Sequence, residues 1–381
     1  MTRQRKEGAR GAIGQARACA LGFLARVVRA LCFVVLPAFV SGCSPGYVLR
    51  AAYEQGKILS ARRPIDKVLA DPATAQEQRE KLTVVVNARE FAQKIGLTPG
   101  DSFTTFAQVS RDPLAWVVVA SRRDSFSLYT WWFPIVGRVP YKGFFDKEDA
   151  EEQLKELVAK GYEGSMRGTE AFSTLGWFND PVLSTTLKNN PSRIANTVIH
   201  ESVHTTVWIP GSVAFNESLA NFVGAVGATA FFAREADNCI RGGGSCVDEK
   251  ARRESAVRDE AAQLEVSRVV DSLYSALDTL YSDPSLTSEE KIARRQAVFN
   301  QAVTPFREKY PKASVLKEMN NAEIMQLKIY MTKLPLFARL YAREGGDLRR
   351  FIAVIEEVRR QVEEDSAKDP FVVLEEIVDT H

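Results

Sequence analysis

The chain has 381 residues, of which 45% are hydrophobic and 26% charged, with a formal net charge of +2. That balance belongs to a globular protein and excludes a disordered tail, a collagen-like fibre and a small disulfide scaffold. It also lacks the strong basicity of a dedicated nucleic-acid binder, and the length suits one large domain or two smaller ones.

The basic residues at the start form a pattern of their own. Arg3, Arg5, Lys6, Arg10, Arg17, Arg26 and Arg29 stand against one acid, Glu7, and an uncharged apolar run over 30–42 then leads to Cys43. A basic start, a short apolar stretch and small residues before a cut describe a secretory signal better than a spanning helix. The competing reading is an ordinary anchor helix with a chance cysteine. Val40-Ser41-Gly42-Cys43 resembles the bacterial lipobox, which implies removal of residues 1–42 and acylation of Cys43. Several acyl chains anchor firmly, so the expected mature protein is tethered to a membrane through its N-terminal lipid. Ser44 is not an acidic retention signal, which implies an outer-membrane lipoprotein facing the periplasm. Without residues 1–42 the chain holds 43 basic and 47 acidic residues, and its charge turns to −4.

Helices are predicted over 47–70 and 74–96, punctuated by Pro64, Asp71-Pro72 and Thr98-Pro99-Gly100. Aromatic and β-branched residues then predict three strands, 103–109, 114–120 and 126–133, in a small antiparallel sheet. An amphipathic helix over 146–160 should close at Gly161. Residues 166–185 read as loop and strand, and two helices, 192–208 and 213–235, flank the breaker Pro210-Gly211. The remainder reads as helices over 248–281, 287–308, 315–343 and 347–364. The predicted fold is α+β, mostly α. A core of N-terminal helices, sheet and metal site spans 43–240, and a helical portion spans 241–381. Cys239 and Cys246 flank a flexible Gly-rich loop, and in an oxidising compartment they are expected to pair; a thiolate metal pair fits the spacing less well.

The chain has three histidines, and two of them frame His200-Glu201-Ser202-Val203-His204, an H-E-x-x-H pattern. Positions i and i+4 of a helix share a face, so both imidazoles can reach one metal while Glu201 meets a water beside it. The competing reading is a pair of core or surface histidines without metal. A catalytic zinc site needs a third protein ligand and an open position. His381 is terminal, and Glu217 opens the next helix in Phe215-Asn216-Glu217-Ser218-Leu219-Ala220. Asn-Glu-x-x-Ala resembles the glutamate-ligand motif of gluzincin metallopeptidases, although the 12 residues between His204 and Glu217 are fewer than is usual there.

The lipobox, Val139-Pro140-Tyr141-Lys142-Gly143-Phe144-Phe145-Asp146, Ser173-Thr174-Leu175-Gly176-Trp177-Phe178-Asn179-Asp180-Pro181, H-E-x-x-H, Phe-Asn-Glu-Ser and Asn320-Asn321-Ala322 together resemble one bacterial family. That family is the predicted aminopeptidases, zinc metallopeptidase-like lipoproteins of gluzincin type, and the resemblance covers nearly the whole mature chain. It implies a gluzincin-like α+β core, zinc held by His200, His204 and Glu217, and a peptide substrate. Ser202 and Phe172 depart from the family, where a more hydrophobic residue and a tyrosine are common.

In such chemistry the metal acidifies water, while Glu201 takes the proton and passes it to the leaving amine. The oxyanion needs a second electrophile. Tyr330 is the first candidate and Tyr141 the second, each weighed against a packed aromatic. Gly176-Trp177-Phe178 is a candidate edge for substrate strand addition, or else core. Two other functions stay open: a tethered structural or interaction protein with a non-catalytic metal site, and a zinc amidase acting on cell-wall peptides.

Overall fold

Helices follow the apolar spacing of the sequence, whereas strands form where distant segments find each other. In the computed structural model, residues 45–133, 137–169, 180–311, 313, 315–316 and 319–380 are described. The signal segment 1–42, Cys43, Phe172, residues 173–179 with Gly176-Trp177-Phe178, and His381 lie outside the described residues. The chain begins with α1 (Pro45–Ser60), β1 (Arg62–Pro64), α2 (Ile65–Ala70) and α3 (Gln76–Lys94). Short strands follow: β2 (Thr105–Ala107), β3 (Ala115–Arg122), β4 (Trp131–Phe133), β5 (Gly137–Val139) and β6 (Lys142–Phe144). Next come α4 (Lys147–Ala159), β7 (Tyr162–Thr169) and β8 (Val182–Leu183). The rest is helical: α5 (Pro191–His204), α6 (Val213–Arg241), α7 (Val247–Ser282), α8 (Ser288–Lys309), α9 (Asn321–Met331), α10 (Leu334–Arg343), α11 (Leu348–Glu364) and α12 (Pro370–Asp379).

The protein is therefore α+β and mostly helical, with small sheets. It divides into two compact units. One takes the chain through Gly56 together with Trp131–Val139, where β4 and β5 pair as an antiparallel ribbon. The other comprises Lys57–Thr130 with Pro140–His381. Among the described residues no helix is long and apolar enough to cross a membrane.

The predicted three-stranded sheet is rearranged. The segment around Thr105–Ala107 joins β1 antiparallel and β8 parallel, while β3 sits between β6 and β7, antiparallel to both. Of the predicted strand 126–133 only β4 is regular, with Leu128 forming an isolated bridge to Ser121. β7 escaped sequence reading because its sequence, YEGSMRGT, has two glycines and only one aromatic residue; pairing along all of β3 makes it a strand. A Cβ at Gly164 would lie 2.5 Å from Leu154 of α4, whereas Glu163, on the opposite face, meets α9. α4 and α9 thus cover the two faces of β7, and β3 reads as a nearly unbroken apolar run.

Three predicted helices also change. The helix over 47–70 stops at Ser60, because Pro64 disfavours helical backbone at Arg63 and the chain extends into β1. The helix over 192–208 ends at His204. The helix over 315–343 is two, with Lys333 at φ +52° between α9 and α10 and Pro335 in the first turn of α10. Continuing α9 through Pro335 would forfeit a backbone hydrogen bond and clash with the preceding turn. α12 was not predicted. Gly161 does follow α4 in the left-handed region, at φ +84°.

One core gathers α3, α5, α6, α10, α11 and α12 around fully buried Leu82, Ile199, Val223, Phe337, Phe351 and Leu374. A second gathers α7, α8 and α9 around Val270, Leu273, Leu277, Phe299 and Ile324. The sulfurs of Cys239 and Cys246, 2.07 Å apart, form a disulfide across the turn between α6 and α7. A buried polar network joins β7 to the helices. Arg295 of α8, 8% exposed, donates to both Glu163 oxygens at 2.8 and 2.6 Å. Glu163 also accepts from the Asn321 backbone at 2.7 Å, and buried Asn321 accepts from the Tyr281 hydroxyl at 2.9 Å. Glu163→Gln leaves the Arg295 charge buried and uncompensated, so an expected loss of about 3 kcal/mol should appear as a lowered urea midpoint. The double variant Glu163→Gln/Arg295→Met should lose less than the two single losses combined.

Candidate metal centre

The site is built on two helices joined by one turn. α5 starts where Asn190 caps it, its side-chain oxygen accepting from the Arg193 amide at 2.8 Å, with Pro191 in the first turn. Ile194, Val198, Ile199 and Val203 bury one face, which leaves His200 and His204 side by side on another. The departure at Ser202 is accommodated locally: the residue is buried, and its hydroxyl donates to the Val198 carbonyl at 2.7 Å. Two threonines stop the helix after His204. Thr205 donates to the Thr98 carbonyl at 2.8 Å, and Thr206 both donates to Ser202 and accepts from the Thr98 amide.

Asn216 sets the start of the second helix. Fully buried, it accepts from the Ile209 amide at 3.0 Å and donates to the Ile209 carbonyl at 2.8 Å. The returning turn is thereby clamped one residue before Glu217. Phe215 stacks edge-on against Phe337 and Phe371, fixing the same end of α6 to the core. Further along α6, Gly224 and Gly227 let α5 approach closely. A Cβ at Gly224 would stand 2.8 Å from the Asn196 side-chain oxygen and 3.2 Å from the His200 Cβ, and one at Gly227 would stand 2.9 Å from Ile199.

This packing brings three donors together. The Nε2 atoms of His200 and His204 are 3.2 Å apart, and each lies 3.5 Å from Oε2 of Glu217. Their ligand atoms all fall within 4.8 Å of one another, so the triad can hold a metal ion. The site is largely enclosed, with side-chain exposures of 14%, 8% and 12% for His200, His204 and Glu217. Trp208 packs edge-on against the His204 ring at 5.7 Å. Nδ1 of His204 is buried with no partner among the described residues.

Electrostatics follow from this crowding. Burial opposes the Glu217 charge, but hydrogen bonds and charge from both histidines outweigh it and lower its pKa to about 2. Burial likewise opposes protonation of His200, yet the Glu217 hydrogen bond and the charges of Glu201 and Glu217 raise its pKa. An ionised carboxylate between two imidazoles is a suitable cation ligand set. Glu201 is partly buried and makes no hydrogen bond or ion pair with another described residue. Its charge reaches both His200 and Tyr330.

Tyr330 lies at the end of α9. Its carbonyl accepts from Asn221 at 2.8 Å, and Asn221 is one helical turn beyond Glu217 on α6. The break after α9 is capped by neighbouring helices. Ser218 accepts from the Thr332 amide at 2.9 Å, Ser267 donates to the Met331 carbonyl at 2.7 Å, and Asp271 accepts from the Lys333 amide at 3.1 Å. Burial, then the Glu217 charge, pushes the Tyr330 hydroxyl up to about 12, against the opposing effect of Arg167. Tyr141, half exposed, is also raised, by burial of its hydroxyl end and by Glu217. Both predicted tyrosines therefore share the field of the triad. Asn216 and Asn221 belong to the motif around Glu217, but their clamping roles, Arg167 and the glycine pair were not foreseen from sequence; the Gly-x-x-Gly spacing within an apolar helix was the one available signal of a close crossing.

Fold and site together define a mostly helical α+β protein whose paired helices carry two histidines and a glutamate suited to a metal ion. A family model described as "Putative aminopeptidase" matches residues 46–369, and the chain belongs to that family. No curated protein and no solved structure matches the chain.

Gly224→Ala tests the crossing. The added methyl meets backbone and the His200 Cβ, so α5 and α6 must separate by tenths of an ångström. If the triad holds a divalent cation, its affinity, read with zinc as the probe by competition with a chromogenic chelator, should fall at least about tenfold, the scale seen when a metal site's supporting contacts are lost.

Proposed function

We propose that the protein is a zinc-dependent peptidase with a gluzincin-like core, most simply an aminopeptidase, and that His200, His204 and Glu217 are its zinc ligands. The observation carrying this reading is the donor spacing. Ligands at about 2.0–2.1 Å from a tetrahedral ion stand roughly 3.3 Å apart; here the separations are 3.2, 3.5 and 3.5 Å. Among the described residues the site has three protein donors rather than four, which favours a catalytic site over a structural one.

Zinc bound there supplies Lewis acidity and brings the pKa of a bound water toward ~7. Glu201 sits between the two histidines on α5 and is not engaged by a described partner, which supports its role as general base. It takes the proton of the attacking water and delivers it to the departing amine. The Tyr330 hydroxyl, with its pKa up to about 12, stays protonated at any working pH and can donate a hydrogen bond to the developing oxyanion. Asn221 holds its backbone against α6, which keeps that donor fixed relative to Glu217. Tyr141 is the second donor candidate.

Glu201→Gln should retain one zinc per chain while peptide turnover falls by about 10²–10⁴-fold, and Tyr330→Phe should lower kcat by about 10²–10³-fold. Metal analysis and peptide assays on residues 44–381 check both. Unchanged turnover in zinc-loaded Glu201→Gln would sink the mechanism, and a zinc-free protein would favour an interaction role.

The same reading takes the chain as an exported lipoprotein, cleaved before Cys43, acylated there, and held at the outer membrane facing the periplasm. Cys43→Ser should move the protein from the membrane to the soluble fraction on bacterial fractionation. Membrane retention of that variant would remove lipidation from the account.

A further inference from the structure

We propose that Arg167 is the carboxylate-recognising residue of the substrate cleft, so that the favoured substrates are short peptides carrying a carboxylate close to the scissile bond. This rests on the peptidase reading and adds the substrate class. Arg167 is exposed on β7, two pleats from Glu163 and on the same face of the strand. That face lies along α9. Glu163 meets the Asn321 amide at the helix start, and Arg167 meets Gln326 and Tyr330 further along.

The guanidinium is held in place. Its carbon stands 5.9 Å from the centre of the Tyr330 ring. The Gln326 amide, turned oxygen inward, accepts from Nε at 2.9 Å and from Nη2 at 3.3 Å. Those contacts use the Nε side of the fork. The outer edge, with both Nη1 hydrogens and the second Nη2 hydrogen, remains available for a planar bidentate acceptor. Among the described residues no carboxylate pairs with Arg167, whereas Arg295, two β7 pleats away through Glu163, is fully paired. A stacked, oriented and unpaired arginine is organised for an anion that arrives with a ligand.

Its position relates that anion to the chemistry. Arg167 packs on the tyrosine whose carbonyl is tied by Asn221 to the helix carrying Glu217. Glu217, Tyr141 and Glu201 also act on Tyr330, each opposing ionisation of its hydroxyl. Tyr330 therefore lies within the field of the metal-site acids while Arg167, 5.9 Å from its ring centre, offers a cationic group for a substrate carboxylate. The shared chemistry has two sources, the free C-terminus of a short peptide or an acidic side chain next to the cleaved bond.

Two matched pairs separate these sources: Ala-Ala against Ala-Ala-amide, and Ala-Glu-amide against Ala-Gln-amide. Each is assayed for kcat/KM with wild type, Arg167→Gln and Arg167→Lys in the zinc-loaded protein. Wild type should favour the carboxylate member of at least one pair by about ten- to a hundredfold, the worth of a charged hydrogen-bonded contact. Arg167→Gln should bring that ratio near one, and Arg167→Lys should restore part of it. A merely structural arginine would lower both members together and leave the ratio intact, which would overturn the proposal. So would a wild type with no preference in either pair. The same peptides titrated by calorimetry against zinc-loaded Glu201→Gln, with and without Arg167→Gln, read the preference without turnover. An Arg167-dependent binding preference in zinc-loaded Glu201→Gln, together with no cleavage of any of the peptides by the zinc-loaded wild type, supports the anion site and removes the peptidase reading. Absence of any binding preference removes the anion site.

Discussion

The close crossing of α5 and α6 is the constraint on which the site depends. Two glycines on α6 remove the side chains that would otherwise stand between the helices, one of them against Asn196 and His200 and the other against Ile199. Only at that separation can the Nε2 atoms of two histidines and one carboxylate oxygen converge to 3.2–3.5 Å. The short turn between the helices gives little room to adjust, and Asn216 clamps it through both backbone groups of Ile209. The three donors are thus held together by backbone packing, the arrangement a preorganised site for a cation requires.

A second constraint acts from the opposite side. α9 is held at its start by Asn321, whose amide bonds Glu163 and whose side chain accepts from Tyr281. It is held at its end by the side chains of Ser218, Asn221, Ser267 and Asp271, which satisfy the groups exposed where the helix breaks before Pro335. α6 contributes to both arrangements, since Glu217, Ser218 and Asn221 lie within five consecutive residues. One stretch of helix therefore supplies the third donor and also fixes the segment bearing Tyr330. The β7 strand, bonded along β3, sets Arg167 against that same segment.

Much of this was legible in order rather than in place. Because their apolar stripes are long, periodicity located α7 and α8 to within a residue, while α5 stops four residues short of its predicted end and α6 runs six residues past it. It failed at 61–64 and at 332–335, where a proline and tertiary hydrogen bonds override helical propensity. It failed more completely for the sheets. β1, β6 and β8 are two or three residues long, and β7 is rich in glycine, so their pairing is decided by partners distant in the chain.

By itself the sequence determined the chemistry that was possible. It has two non-terminal histidines spaced one helical turn apart with an acid beside the first, a glutamate on the next helix, and a cysteine pair with neither CxxC spacing nor a nearby histidine. Those facts follow from helical geometry, which local sequence dictates. The tertiary structure decided that Glu217 meets both histidines and that Tyr330 and Tyr141 lie within the field of its charge. It also left Arg167 stacked and unpaired at the same place. These are juxtapositions of residues tens to more than a hundred positions apart. No local propensity encodes them; they arise only when the glycine-lined helix crossing, the capped helix break and the β3–β7 pairing form together.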